Sequence, residues 1–120
     1  EGLCEGGGAG LTGRPDFLSD WPALHSPVLA SRAEAEGLPP ALLITCGRDS
    51  LGPEGCRYGE LLRSGGVAVT HWHLAGACHA FIEHTFNEHS RFSVDEEQRR
   101  LAMETMPKLA EWIARVGFGR

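Results

Sequence analysis

A short apolar run in the middle of the chain constrains the fold more than any other feature. Residues 41–46, ALLITC, are bounded by Pro39-Pro40 before them and by Gly47 after them. An uninterrupted run of this length is typical of a strand buried on both faces, and such strands occur in parallel sheets covered by helices. The run is too short to cross a membrane, which takes about 20 residues. We therefore expect a parallel α/β sheet and no membrane span.

The segments after this run continue the alternation of strand and helix. Pro53 suits the first turn of a helix, apolar residues follow at helical spacing, and Gly65-Gly66 predicts its end. Residues 67–74 predict a second strand, and residues 75–79 predict a loop. The order strand, helix, strand indicates an α/β fold with parallel strands and flanking helices.

Helices are also predicted towards both ends of the chain. A short helix over residues 29–36 is expected to stop at Gly37. Residues 83–93 are polar and predict a loop or a frayed helix. Ser93-Val94-Asp95-Glu96 has the spacing of a capping box, so the last helix is expected to begin there and to run to about Val116. Pro107 lies within it and predicts a kink or a break.

Composition narrows both the fold and the partners. Hydrophobic residues make up 42% of the 120 residues and charged residues 22%, which excludes global disorder. The net charge of −5 argues against a nucleic-acid partner, because nucleic acids reward basic surfaces. The expected core consists of apolar residues on the strands and on one face of the last helix: Leu42, Ile44, Val67, Val69, Trp72, Leu109 and Ile113.

The first residues differ in composition from the rest. Residues 1–19 contain an early cluster of six glycines and are interpreted as a flexible or truncated segment, while residues 20–120 form the predicted domain. The sequence begins with Glu1 and shows no signal peptide. The four cysteines form no C-x-x-C pair, so we expect reduced thiols and a cytoplasmic location.

Two residues of complementary chemistry follow the two predicted strands. Asp49 comes just after the first strand and His79 just after the second. In open α/β sheets, ligands bind outside the carboxyl ends of the strands, and side chains at neighbouring strand ends can meet there. A carboxylate bonded to one imidazole nitrogen orients the ring and stabilises its protonated form. A loop-capping Asp with a partly exposed His is the structural alternative.

Several ordered motifs resemble the α/β-hydrolase fold, and in particular the hormone-sensitive-lipase-like esterases. The strand and acid loop L-P-P-A-L-L-I-T-C-G-R-D-S-L, residues 38–51, is similar to that family's L-P-P-A strand followed by D-x-L. Residues 76–81, G-A-C-H-A-F, are similar to its G-x-x-H-G-F segment. Ser26-Pro27-Val28-Leu29 is similar to its S-P-L-L stretch. Together these similarities span roughly residues 20–116.

The resemblance implies roles for the two candidate residues. Asp49 would be the acid that orients the base, and His79 the general base, in a serine hydrolase of small-molecule carboxylic esters that needs no metal or organic cofactor. Ala80 departs from the family's usual glycine after the histidine, and Pro107 is unusual in the last helix. Phe81, beside the base, is expected to pack in the core rather than line an acyl pocket. Homodimers through an edge strand or the terminal helix are an open alternative on this fold.

The nucleophile of such an enzyme is not in this sequence. No G-x-S-x-G elbow and no H-G-G oxyanion stretch occurs. Because the triad of α/β-hydrolases follows the order Ser, Asp, His, both belong upstream of Glu1. We therefore interpret the chain as the C-terminal part of an α/β-hydrolase and expect it to be inactive alone. The local serines lack an elbow context: Ser19, Ser26, Ser31, Ser50, Ser64, Ser90 and Ser93.

Two alternatives from other classes stay open at this point. His71 and His73 lie on one predicted strand face, and further histidines and a cysteine follow, which is a composition that suits zinc. Their spacing matches no zinc ribbon or finger, so no metal residues are assigned. The other alternative is a non-catalytic truncated remnant or interaction module, in which the apolar run 41–46 would leave an aggregation-prone strand edge.

Overall fold

The computed structural model describes residues 22–117 as a short α/β arrangement. The elements in chain order are α1 (Pro22–His25), a 3₁₀ turn (Pro27–Leu29), α2 (Arg32–Ala35), β1 (Ala41–Arg48), α3 (Gly52–Ser64), β2 (Val69–Cys78), α4 (Phe81–Phe86) and α5 (Glu96–Gly117). Within the described residues, β1 and β2 form one two-stranded parallel sheet. The predicted α/β class is therefore confirmed. The segment 1–19 lies outside the described residues.

The described chain divides into two compact units. The first holds residues up to Thr45 together with Ser50–His73, and the second holds Cys46–Asp49 together with the residues from Leu74 on. In the first unit, α2 and α3 pack together, and the buried cluster is formed by Ala35, Leu62 and Val67. In the second unit, α4 packs against α5, and the buried hydrophobic side chains are Cys46, Ala77, Phe81 and Ala102.

The sequence predicts the first strand and the helix after it well. β1 contains the whole apolar run, and its pairing with β2 begins where the Ala41 N–H donates to the Ala68 carbonyl at 2.9 Å. Helix α3 starts one residue before Pro53, as a proline in the first turn requires. It ends at Ser64, next to Gly65-Gly66, where Gly66 adopts a left-handed φ of 84°.

The second strand was predicted with wrong bounds. β2 starts at Val69 and runs to Cys78, so most of the expected loop over residues 75–79 is strand. The expected helix over residues 29–36 is divided into the 3₁₀ turn and α2. Ser31 caps α2 in a capping box with Glu34, and a proline-led turn precedes it. Helix α4 occupies the start of the polar stretch expected to be loop or frayed helix.

Helix α5 corrects two expectations about the last helix. Its cap is Asp95, not Ser93, because the Asp95 carboxylate accepts a hydrogen bond from the Gln98 N–H at 2.9 Å. The helix runs unbroken through Pro107, so of the expected kink or break the break is wrong and the kink stays a prediction. Only the backbone bond that a proline cannot donate is lost there, and the other turns continue.

The predicted core is only partly correct. Val67 is buried, but the strand residues Leu42, Ile44, Val69 and Trp72 and the helix residue Leu109 are half-buried. Ile113 is 45% exposed, so its assignment to the core is wrong. In the described chain the sheet has only two strands, and each strand therefore has one edge without a strand partner. Phe81 is 4% exposed, which agrees with the expectation that it packs inside.

The cysteines and the helices bear on the expected location. Cys46 and Cys78 are free thiols, but Cys56 is disulfide-bonded, so the expectation of four reduced cysteines is wrong. The cytoplasmic location rested partly on that expectation and stays a prediction. Among residues 22–117, every helix is too short or too polar to cross a membrane.

Gly47 of β1 lies against the backbone of Ala75 in β2. A Cβ placed at Gly47 would overlap the Ala75 carbonyl oxygen and lie 2.7 Å from the Ala75 Cα. Both contacts are with backbone, which cannot move aside as the end of a flexible side chain can. The close approach of the two strands at this point therefore requires glycine.

We expect Gly47→Ala to lower the free energy of unfolding by at least about 2 kcal/mol, because the strands must separate locally. Urea denaturation measures this value. Gly117→Ala is the matched control, since a Cβ there meets nothing within 4 Å, and its effect should stay below about 1 kcal/mol. Equal stabilities of the two variants would contradict the assigned close approach.

Candidate active site

The two predicted site residues meet in the second unit. Asp49 follows β1 and His79 follows β2, and the His79 Nδ1 lies 2.8 Å from the Asp49 Oδ2. The Asp49 side chain is 13% exposed, whereas that of His79 is 63% exposed. An ionised carboxylate only accepts hydrogen bonds, so the proton of this bond sits on Nδ1. The neutral ring therefore presents Nε2 as its proton acceptor.

The backbone around His79 is held in an unusual conformation. Ala80 has φ 54° and ψ 30°, the left-handed region that favours glycine. This conformation turns the chain from β2 into α4, and the Ala80 carbonyl accepts the His84 N–H of that helix at 2.9 Å. Phe81 is buried directly after it. The family's glycine at this position thus has a physical reason, and alanine is strained here.

A buried glutamine, missed by the sequence analysis, holds the end of β2. The Gln98 side-chain amide donates to the Gly76 carbonyl at 2.8 Å and accepts from the Cys78 N–H at 2.7 Å. Gln98 is 4% exposed although it is polar. Its position three residues after the helix-capping Asp95 was the available signal. Sequence analysis placed the cap earlier and left Gln98 without a role.

The free thiol of Cys46 lies within the electrostatic reach of Asp49. Burial raises the pKa of the Cys46 thiol, and the charge of Asp49 and the neighbouring Cys78 raise it further. A raised pKa keeps the sulfur protonated, and the thiolate is the reactive form of cysteine. The site therefore contains an imidazole held by a carboxylate, whereas Cys46 is not activated as an attacking group.

Three serines of the described chain, Ser31, Ser64 and Ser90, have local hydrogen bonds. Ser31 caps α2, and the Ser64 hydroxyl donates to the Leu61 carbonyl within α3. The Ser90 hydroxyl lies 2.9 Å from the His84 Nδ1 and also accepts from the Phe92 N–H at 3.2 Å. Ser90 and His84 are a contact that sequence analysis did not predict. Because the Ser90 oxygen already closes the turn to Phe92, the pair has a structural explanation.

His71 and His73 form a separate cluster with Thr45 in the first unit. The buried Thr45 hydroxyl lies 2.7 Å from the His71 Nε2 and 2.9 Å from the His73 Nδ1. The two rings share one strand face, as predicted, with an edge-on arrangement of their planes. Among residues 22–117, no group of three or more His, Cys, Asp or Glu side chains is arranged to hold a metal ion.

Comparison with known sequences decides the family. A model of the alpha/beta hydrolase fold matches residues 13–83, more than half of the chain and both candidate residues. The chain belongs to the α/β-hydrolase family. The resemblance to the hormone-sensitive-lipase-like esterases is thereby confirmed.

Individual relatives of this α/β-hydrolase agree with the family. It is 38% identical over 63 residues to arylacetamide deacetylase of Bos taurus and 37% identical over 70 residues to that of Oryctolagus cuniculus. These matches cover 52% and 58% of this chain but only 16% and 17% of the relatives. A solved structure of a fungal esterase from Rhizomucor miehei is similar at 37% identity and a TM-score of 0.55. That match covers 70% of this chain and 24% of the esterase.

We expect Ala80→Gly to raise the free energy of unfolding by about 1 kcal/mol. Glycine removes the left-handed strain, which exceeds the entropy that it adds to the unfolded chain. Ala110→Gly, the same change on the exposed side of α5, should instead cost about 1 kcal/mol. Denaturation of both variants in urea gives the comparison. Destabilisation by Ala80→Gly would contradict the assigned strain.

The His71 cluster predicts a pH dependence of stability. Burial and the nearby charges of Arg63 and His73 hold the pKa of His71 below its ordinary value of 6.5, against the opposing charge of Glu60. Below that pH the unfolded chain binds a proton that the folded chain resists. The free energy of unfolding should therefore fall as pH drops from 6.5 towards the folded-state pKa.

Urea denaturation at a series of pH values measures this slope. His71→Gln removes the titrating group while keeping a polar side chain, so its slope should be flatter in that window. The same slope in His71→Gln and in the unchanged chain would show that His71 does not cause it.

Proposed function

We propose that this chain supplies the acid and the base of a serine hydrolase that cleaves small carboxylic esters. The observation that carries the proposal is the 2.8 Å contact between the His79 Nδ1 and the Asp49 Oδ2. Membership of the α/β-hydrolase family supports it, because that family arranges its triad as Ser, then acid, then His. The serine and the oxyanion donors would come from outside this sequence, which contains no G-x-S-x-G motif.

The proposed reaction uses His79 twice. In the first half, its Nε2 takes the proton of the serine hydroxyl as the oxygen attacks the ester carbonyl. The same proton then passes to the leaving alcohol, and an acyl-serine remains. In the second half, Nε2 takes a proton from water while the hydroxide attacks the acyl carbonyl. Nε2 then gives that proton to the serine oxygen as the carboxylic acid is released. Asp49 stabilises the imidazolium in both halves.

The exposures of the two side chains suit these roles. Asp49 is largely shielded, so its charge acts on His79 with less screening than an exposed carboxylate would. His79 is mostly exposed in this chain, so its Nε2 is open to a reacting group. The relatives support this reaction class, because a deacetylase and an esterase both transfer acyl groups.

The chain alone is expected to show no hydrolysis of a short-chain nitrophenyl ester above background. A chimera tests the acid and base directly: residues 22–117 replace the corresponding part of the Rhizomucor miehei esterase. We expect this chimera to hydrolyse the ester. His79→Ala and Asp49→Asn in the chimera should each lower the rate by about 10³–10⁴-fold or more. A nitroanilide of the same carboxylic acid, assayed in parallel, compares amide with ester cleavage.

His89→Ala is the matched control, because His89 is an exposed histidine in the segment after α4 and is assigned no part in the reaction. Its rate should equal that of the unchanged chimera. A folded chimera without turnover, or with turnover that His79→Ala leaves intact, would contradict the proposal. Turnover by the chain alone that His79→Ala abolishes would show that the nucleophile is within this sequence. Such turnover would exclude the non-catalytic remnant as well.

A further inference from the structure

Gln98 is a buried polar side chain, so its amide needs hydrogen-bond partners. The side chain is 4% exposed, and its amide carries both a donor and an acceptor. Both are used on one stretch of backbone: the Nε2 donates to the Gly76 carbonyl at 2.8 Å, and the Oε1 accepts from the Cys78 N–H at 2.7 Å. Burying such a group without partners would be costly, so the two bonds explain why glutamine is tolerated there.

The two bonds reproduce the pairing of a parallel strand. A residue on a neighbouring parallel strand donates to the carbonyl of one residue and accepts from the N–H of the residue two positions later. Gln98 does this with Gly76 and Cys78, on either side of the fully buried Ala77. A side chain of α5 therefore provides two of the backbone hydrogen bonds at the end of β2. Without it, the end of β2 would lose two of its bonds.

Gly76 lies beside the first turns of α5. A Cβ at Gly76 would lie 3.1 Å from the Glu97 Oε1, one residue before Gln98 in α5. The Gln98 backbone N–H is itself fixed by the Asp95 cap at 2.9 Å. The position of the amide is thus set by the first turn of a 22-residue helix rather than by a loop.

The stretch that Gln98 holds leads directly into the proposed base. Cys78 precedes His79, and the strained Ala80 and the buried Phe81 follow it. His79 itself is mostly exposed, so little packing around its own ring fixes its orientation. The direction in which the His79 ring leaves the backbone is therefore fixed by its neighbours in the chain. Gln98 fixes the residue immediately before it.

We propose that Gln98 is a positioning residue, which holds the end of β2 so that the His79 Nδ1 meets Asp49. This inference rests on the proposed function, since it assigns Gln98 a role in orienting the proposed base. Gln98 is not a catalytic residue, because its contacts are with the Gly76 and Cys78 backbone. Its effect reaches the site through the Cys78–His79 backbone alone.

The test uses ¹⁵N NMR of the full chain at a pH where His79 is neutral. In the unchanged chain, His79 should carry its proton on Nδ1. Gln98→Met keeps the length of the side chain and removes both hydrogen bonds. We expect the Nδ1–H form of His79 to give way to the Nε2–H form in this variant. The Cys78 amide should exchange with solvent about tenfold faster.

Gln98→Asn is the second variant, and it carries the test if Gln98→Met fails to fold. It keeps the amide but shortens its reach by one methylene, so the two backbone partners cannot both be reached. The same change at His79 is expected. Thr105→Val is the matched control: Thr105 is also buried on α5, but its hydroxyl donates only to the Leu101 carbonyl of the same helix at 2.6 Å. It should lower stability and leave His79 on Nδ1.

The outcomes separate the inference from the proposed function. If folded Gln98 variants keep His79 on Nδ1 as the Thr105→Val control does, the positioning role is overturned and the acid–base pair stands. If His79 in the unchanged chain already carries its proton on Nε2, the acid–base pair is overturned, and the role of Gln98 with it. Loss of Nδ1–H in the Gln98 variants alone supports the inference.

Discussion

The parallel pairing of β1 with β2 is the constraint on which the rest of this structure depends. Parallel strands cannot be joined by a tight turn, so the chain must cross back, and α3 makes that crossing. Both strands then end at the same edge of the sheet. Asp49 leaves β1 there and His79 leaves β2, and their 2.8 Å contact follows from that topology together with the local turns.

The contact depends on backbone details as much as on the two side chains. Gly47 lets the strands approach closely just before the acid, and Ala80 turns the chain just after the base at some cost in strain. Gln98 supplies the hydrogen bonds of a missing strand neighbour to the residues before His79. A pair with one shielded and one exposed member therefore keeps a defined geometry. This geometry suits the role of general base that we propose for His79.

Sequence reasoning predicted the features that depend on local patterns. The apolar run predicted β1, and the proline and the glycine pair predicted the ends of α3. The positions of Asp49 and His79 after the strands predicted that these two side chains meet. It was wrong where contacts with segments that are distant in the sequence determine the structure. β2 extends to Cys78, where the Gln98 side chain of α5 bonds its backbone, and Asp95 rather than Ser93 caps α5. Ile113 lies on an apolar helix face, but within the described chain nothing covers it enough to bury it.

The central claim is that Asp49 and His79 are two members of a Ser–Asp–His triad whose first member is encoded upstream. The most direct measurement is the sequence of the coding DNA immediately before the Glu1 codon. The account predicts an in-frame G-x-S-x-G motif, preceded by an H-G-G stretch. A stop codon or a start codon directly before Glu1, with neither motif in frame, would contradict it and leave an acid and a base without a nucleophile.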